Sequence, residues 1–200
     1  MICAMVLAAG RSRRMGAQKL LLPLGGQPMI ARIADEVLRS PVDRVFLVIG
    51  PDGSRVTEAL AGRRVGFVAN PDAQGEMLSS VRCGLRAMPQ ECAAAMVLLG
   101  DQPGVTAEVV ALLVRAFRTS GRGIVVPTYG GRRGHPLLLA MGCRGEIIEH
   151  YEEVGLRGLL RAHPEDVLEV EVAASGVLED MDVPEDYRQA AARFRTGPAE

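Results

Sequence analysis

Lysine is almost missing from this sequence: Lys19 stands alone against 22 arginines. Net charge is nearly missing too, at −1 over 200 residues, so nothing in the charge balance calls for a nucleic-acid backbone as partner, and a small molecule is expected instead. A hydrophobic fraction of 48% excludes a disordered chain. Cysteine is sparse, with Cys3, Cys83, Cys92 and Cys143 scattered along the chain, no C-x-x-C pair, and no histidine at metal-ligand spacing. Neither a disulfide framework nor a zinc site is indicated, and a reducing cytoplasm fits best. Long apolar runs are also absent. The opening MICAMVLAAG has no basic flank of the secretory kind, and no run reaches the roughly 20 residues of a membrane span, so it reads as a buried strand.

What is present is a regular alternation. Strand-like runs lie at Ile2 to Leu7, Arg44 to Ile49, Val65 to Ala69, Ala94 to Leu99, Ile124 to Pro127, Leu137 to Leu139 and Val167 to Val172, and several are apolar throughout rather than alternating, as strands covered on both faces are. Helical patterns separate them: Met29 to Arg39, Ser54 to Ala61, Glu76 to Met88, Ala107 to Arg118 behind the N-cap Thr106, and Glu185 to Phe194 after Pro184. Strand and helix in turn predict an α/β fold: one domain, a three-layer sandwich with a mostly parallel, Rossmann-like sheet and helices on both faces. That domain should span residues 1–195, with a disordered tail at 196–200. The tract from Arg132 to Arg161 breaks the rhythm and reads as a substrate lid inserted late in the fold.

In such a sheet, ligands bind at the carboxyl ends of the strands. The loop after the first strand, AAGRSRRMGAQK, carries Gly10, Gly16, Arg11, Arg13, Arg14 and Lys19. Glycines let backbone N–H groups approach an anion and the cations neutralise it, so the loop reads as a polyphosphate site or, more plainly, as a basic surface turn. It has neither the Gly-Lys-Ser/Thr of a P-loop nor the G-x-G-x-x-G of a dinucleotide fold. Asp101 follows an all-apolar strand and a glycine, which places its carboxylate at a central strand's carboxyl end, either as a ligand for Mg²⁺ beside phosphates or as a cap before Pro103. Asp180 and Asp182 precede Pro184 and a helix, where capping competes with metal binding. Ser79 and Ser80 open the helix that carries Val81, Leu85 and Met88 inward, and their hydroxyls either face the cleft or cap the helix. His135 lies between glycine and proline in the irregular tract, as a structural or a substrate-orienting residue; His150 and His163 read as surface or packing residues.

These residues carry a resemblance. LAAGRSRRMGAQK resembles the signature L-A-A-G-x-S-x-R-M-G-x-x-K of the nucleotidyltransferases that process the molybdenum cofactor, most closely the cytidylyltransferase branch. GEMLSSVRCGL, LLGDQP, RRGHPLLL and DMDVPEDY are similar to its helix start, metal-binding strand end, substrate loop and closing D-x-D-T-P-E-D. The sequence departs from the pattern at Val183, where threonine is usual, and at Glu76, an insertion between Gly75 and Met77. The resemblance runs from Met5 to Tyr187 and implies a nucleotidyltransferase fold of the GT-A-like type, residues 1–103 forming a nucleotide-binding half and 104–195 an acceptor-binding half. It also implies CTP, or GTP, as donor and the molybdenum cofactor, a phosphorylated pterin, as acceptor. Ala9 favours the pyrimidine, because L-A-G-G is commoner in the guanylyl branch. Implied roles are Lys19 and Arg14 on the triphosphate, Leu7, Ala8, Ala9 and Gly10 as backbone contacts, Ser80 at the base with Asn70 and Gln74 as polar neighbours, and Asp101 with Asp182 on Mg²⁺. Asp101, Lys19 and Arg14 form the implied catalytic set. Arg133 and His135 fall on the acceptor, with Arg132 attracting its charge, and a recipient molybdoenzyme or chaperone is the implied protein partner.

The solitary lysine gains a meaning from this chemistry. Nucleotidyl transfer asks for positive charge where negative charge develops. A compact ammonium on a flexible stem follows one oxygen, whereas the arginine fork prefers a fixed bidentate partner. Competing readings are a nucleotidyltransferase for another phosphorylated acceptor, a glycosyltransferase-like domain using Asp180-Met181-Asp182, and a non-catalytic cofactor carrier.

Overall fold

In the computed structural model, which describes residues 1–10, 18–72 and 76–195, the chain opens with β1 (Ile2–Ala8). Ile2, Ala4, Val6 and Ala8 join one buried core and Cys3 and Met5 the other, so β1 is covered on both faces and shows no polar alternation. A single 3-10 turn, Lys19–Leu21, leads into the small hairpin β2 (Pro23–Leu24) and β3 (Gln27–Pro28). There follow α1 (Met29–Arg39), β4 (Arg44–Ile49), α2 (Ser54–Ala59), β5 (Gly66–Ala69), α3 (Met77–Ala87) and β6 (Ala94–Leu99). Next comes α4 (Ala107–Ser120), whose N-cap Thr106 accepts from Val109 N as expected. The remainder is β7 (Ile124–Tyr129), β8 (Arg132–Arg133), β9 (Leu137–Ala140), α5 (Arg144–Glu149), α6 (Leu156–Ala162), β10 (Val167–Glu171) and α7 (Pro184–Arg195).

The strands lie in the order β10-β7-β9-β6-β1-β4-β5, with β8 paired to β7. The β1–β4, β1–β6, β4–β5 and β7–β10 pairs are parallel, while β9 runs antiparallel to both β6 and β7. Helices α1, α2, α4 and α7 bury residues in one core and α3, α5 and α6 in the other. The fold is the expected single-domain α/β sandwich with a mostly parallel sheet.

Two expectations need correction. The tract from Arg132 to Arg161 is no inserted lid: it contributes the central strand β9, and Ile147, Leu156 and Leu159 of its helices are buried in the second core. Cys3 and Cys92 form a disulfide, although the scattered cysteines suggested none. The parallel pairing of β1 with β6 sets Cys3 opposite Ala95, which brings Cys92, just ahead of β6, within 6.3 Å Cα to Cα despite a sequence separation of 89. Cys83 and Cys143 are free.

Close backbone approaches hold the carboxyl rim of the sheet together. Gly100 N donates to Leu7 O at 3.0 Å, and a Cβ on Gly100 would lie 2.6 Å from that oxygen. Gly100→Ala is therefore expected to lower unfolding free energy by about 1–3 kcal/mol, since backbone cannot swing aside; urea unfolding measures it. Gly84→Ala meets the flexible Met5 Sδ at 2.7 Å instead and should destabilise less. Gly104 and Gly176 touch backbone to backbone, where a Cβ on either would come within 2.6 Å of the other. That contact docks the 3-10 turn Ser175–Leu178 beside the end of β6, and His135 N donates to Val177 O of the same turn at 2.9 Å.

Candidate active site

Lys19 opens its 3-10 turn with Leu20 buried behind it, and its ammonium reaches the rim. Nζ donates to Asp101 Oδ2 at 2.6 Å and to Asp182 Oδ1 at 3.1 Å, joining residues 82 and 163 positions away. Asp101 is aimed by the Gly100 contact. Asp182 is aimed by Met181, whose side chain is buried and whose N donates to Asp101 O at 3.0 Å. At the start of α7 it is Asp186 that reaches back, its Oδ2 accepting from Asp182 N and Val183 N, both at 2.9 Å. Asp180 accepts at Oδ1 from Gln102 Nε2, 2.6 Å away.

Burial by itself would pull the Lys19 pKa down, but the hydrogen bonds and charges of Asp101 and then Asp182 outweigh it and leave the ammonium above its ordinary 10.5. For Asp180, burial raises the carboxyl, the Gln102 hydrogen bond opposes that, and the charges of Asp101 and Asp182 raise it further. Among the described residues no three His, Cys, Asp or Glu side chains form a cluster able to hold a metal ion. Mg²⁺ asks for less, one or two carboxylates completed by phosphate oxygens, and Asp101 with Asp182 fits that donor set.

Beside this group opens a cavity of about 790 Å³, walled by Ala8, Ala9, Gly10 and Gln18 on one side and by the loop 50–55 after β4 on the other. The walls approach closely at Gly50, where a Cβ would lie 3.2 Å from Ala9 O. Leu7 stands behind it in the sheet, its carbonyl taken by Gly100 N. Asn70 and Ser80 are both buried and hydrogen-bond to each other: Asn70 Nδ2 donates to Ser79 Oγ at 2.7 Å and Ser80 Oγ at 3.0 Å, and Asn70 Oδ1 accepts from Asp72 N. They brace the end of β5 against the start of α3. Arg11, Arg13, Arg14, Gly16 and Gln74 lie outside the described residues.

On the far side of β6, burial holds the His135 ring down to a pKa of about 4, so it is neutral at pH 7, and its Nδ1 is buried without a hydrogen-bond partner. Arg133 is not gathered to it, because Glu169 of β10 takes its guanidinium at 2.7 Å. The charges within reach of His135 are Asp101 and Arg157 of α6.

Sequence reasoning passed over Gln102, Asp186, Arg157 and the loop 50–55. The last was within reach: Gly50-Pro51-Asp52-Gly53 is a turn cluster at the carboxyl end of a parallel strand. Gln102 gave no signal, since a glutamine between aspartate and proline reads as an exposed loop residue.

Residues 4–167 match the family described as the MobA-like NTP transferase domain. The molybdenum cofactor cytidylyltransferase of Escherichia coli K12 is 26% identical over 194 residues, covering 96% of this chain and 97% of that protein. Among solved structures, a nucleotidyl transferase from Methanothermobacter superposes with a TM-score of 0.85 at 26% identity, covering 98% of this chain and 99% of the other. A manganese complex of Rv0371C from Mycobacterium tuberculosis H37Rv superposes with a TM-score of 0.81 at 26% identity, covering 96% and 98%. A family match over most of the chain, together with a shared fold and the gathered Lys19, Asp101 and Asp182, means that this chain belongs to the MobA-like NTP transferase domain family and is a nucleotidyltransferase.

Proposed function

We propose that the protein transfers CMP from CTP to the terminal phosphate of the molybdenum cofactor, a phosphorylated pterin, and releases pyrophosphate. The observation that carries this reading is the meeting of Lys19 with Asp101 and Asp182, directly after Gln18, which walls a cavity together with Ala8, Ala9 and Gly10. Residues 1–103 bind the nucleotide and residues 104–195 the acceptor. Ala8, Ala9 and Gly10 present backbone groups to the nucleotide, Asn70 and Ser80 shape its base end, and Arg14 joins Lys19 on the triphosphate. Asp101 and Asp182 hold Mg²⁺, which when bound offsets the charge of the phosphates.

An oxygen of the acceptor phosphate attacks the α-phosphorus, the bond to the β-phosphate's bridging oxygen breaks, and pyrophosphate departs with the electron pair. The acceptor phosphate is already largely dianionic at pH 7, its second pKa being about 6, so no general base is needed. What the chain supplies is alignment and charge. Lys19 would turn from Asp101 and Asp182 to phosphate oxygens, leaving the two carboxylates as the residues that would hold Mg²⁺. His135 is neutral at pH 7 and orients the acceptor, while Arg133, ion-paired with Glu169, lies further out on that side. The described residues include no helix long and apolar enough to cross a membrane. The product passes to a recipient molybdoenzyme or its chaperone.

Pyrophosphate release tests this. With Mg²⁺ and the molybdenum cofactor, CTP is expected to give release at least tenfold faster than ATP or UTP, a difference of about 1.4 kcal/mol in transition-state binding. Preference for GTP would keep the reaction and replace the donor. Release without the cofactor, or none with any nucleotide, would remove the reading.

A further inference from the structure

Gln102 is 2% exposed and follows Asp101 directly. Its Nε2 is spent on Asp180 Oδ1 at 2.6 Å, and its Oε1 is buried with no donor. A buried acceptor left unpaired costs about 1–3 kcal/mol, and a leucine or methionine would fill such a place without that penalty. The amide also has one sensible orientation: turned over, it would set its carbonyl against a carboxylate oxygen.

Asp180 and Asp182 flank the buried Met181, and the Asp180 carboxyl feels the charges of Asp101, Asp182 and Lys19, which places it beside that group. Among the described residues, Asp101, Asp180 and Asp182 bring three carboxyl groups near Lys19, and the charges of Asp101 and Asp182 act against a charge on Asp180. Gln102 ties Asp180 back with a hydrogen bond from its Nε2. Its free carbonyl is an acceptor suited to an ordered water, such as one carried by a hydrated cation.

We infer that Gln102 is a positioning residue for the divalent-cation site, acting through Asp180: it fixes the Asp180 carboxylate so that Asp101 and Asp182 keep the spacing a cation needs. This rests on the proposed metal role of Asp101 and Asp182. Outer partners of this kind change metal affinity by roughly 10- to 100-fold when removed.

The test is titration of Mn²⁺ alone into the full chain, followed by electron paramagnetic resonance, for wild type, Gln102→Ala and Gln102→Met. The methionine keeps the volume and serves if the alanine variant does not fold. The dissociation constant for Mn²⁺ should rise about 10-fold or more. The metal concentration for half-maximal pyrophosphate release should rise in parallel, and KM for CTP at saturating metal should stay unchanged. A Mn²⁺ affinity within about twofold of wild type in a folded variant would overturn the inference, even if Tm drops, because a purely structural glutamine would lower Tm alone. If wild type binds Mn²⁺ and the variants bind it weakly, yet no nucleotide gives pyrophosphate, the transfer reaction is refuted and the role of Gln102 stands.

Discussion

Asp101→Asn is expected to slow pyrophosphate release by roughly a thousandfold, equal to about 4 kcal/mol of transition-state stabilisation. The same change should move Tm by no more than about 4 °C, because asparagine keeps an acceptor for Lys19 Nζ and Lys19 keeps Asp182, which holds the loss in this partly buried pair to about 1 kcal/mol. The separation of the two effects follows from where Asp101 sits. Its side chain is 21% exposed, and the backbone bond from Met181 N to Asp101 O does not involve the carboxylate. Asparagine keeps the shape and loses the charge. Lys19 retains Asp182, while the proposed cation site would lose one of its two anionic ligands. Single-turnover release at saturating CTP, read beside a thermal melt, measures both quantities. A variant that keeps more than about a tenth of the rate with an unaltered metal requirement would remove Asp101 from the chemistry.

The second large effect is expected at the one lysine. Lys19→Arg should reduce kcat about a hundredfold although the charge is kept. A guanidinium between Asp101 and Asp182 takes one of them as a bidentate partner and stays there, whereas an ammonium can let go of a carboxylate and follow a phosphate oxygen. Lys19→Met should be slower still. The lysine's pKa lies above 10.5, so it stays charged at every pH below that value and contributes no limb to the pH–rate profile between about pH 6 and 9. The stability it adds is present throughout that range and is lost only as pH rises through its folded-state value. Near wild-type kcat in Lys19→Arg would mean that any cation suffices, and the solitary lysine would then carry no chemical information.

Much of the sheet was legible because burial on both faces writes a continuous apolar run: Arg44–Ile49 and Ala94–Leu99 match the expected strands residue for residue, and Met29–Arg39 the expected helix. The meeting of Lys19, Asp101 and Asp182 was legible through the motifs of the resemblance and, for Asp101, through its place after the end of β6. Strand direction was not, because LLLA reads the same in either direction and only its neighbours make β9 antiparallel. The Cys3–Cys92 bond depends on the β1–β6 register, a property of no local stretch. The partners of buried polar groups were equally hidden: nothing near Arg133 announces Glu169, and nothing near Asn70 announces that Ser79 and Ser80 will absorb its amide.

The reversed strand has a consequence for how such a protein diversifies. In a wholly parallel sheet each strand offers its ligand edge one loop, the one that follows it. Because β9 runs backwards, the connection that precedes it, with Arg132, Arg133 and His135, reaches the same edge as the loop leaving β6 with Asp101. The proposed acceptor side thus gains a loop with no crossover helix, anchored at His135 N and Val177 O. Residues can be added around Gly130 and Gly131, at the tip between β7 and β8, to enlarge or reshape that side. The cavity wall of Ala8, Ala9 and Gly10, across β6 at the end of β1, would be left as it is.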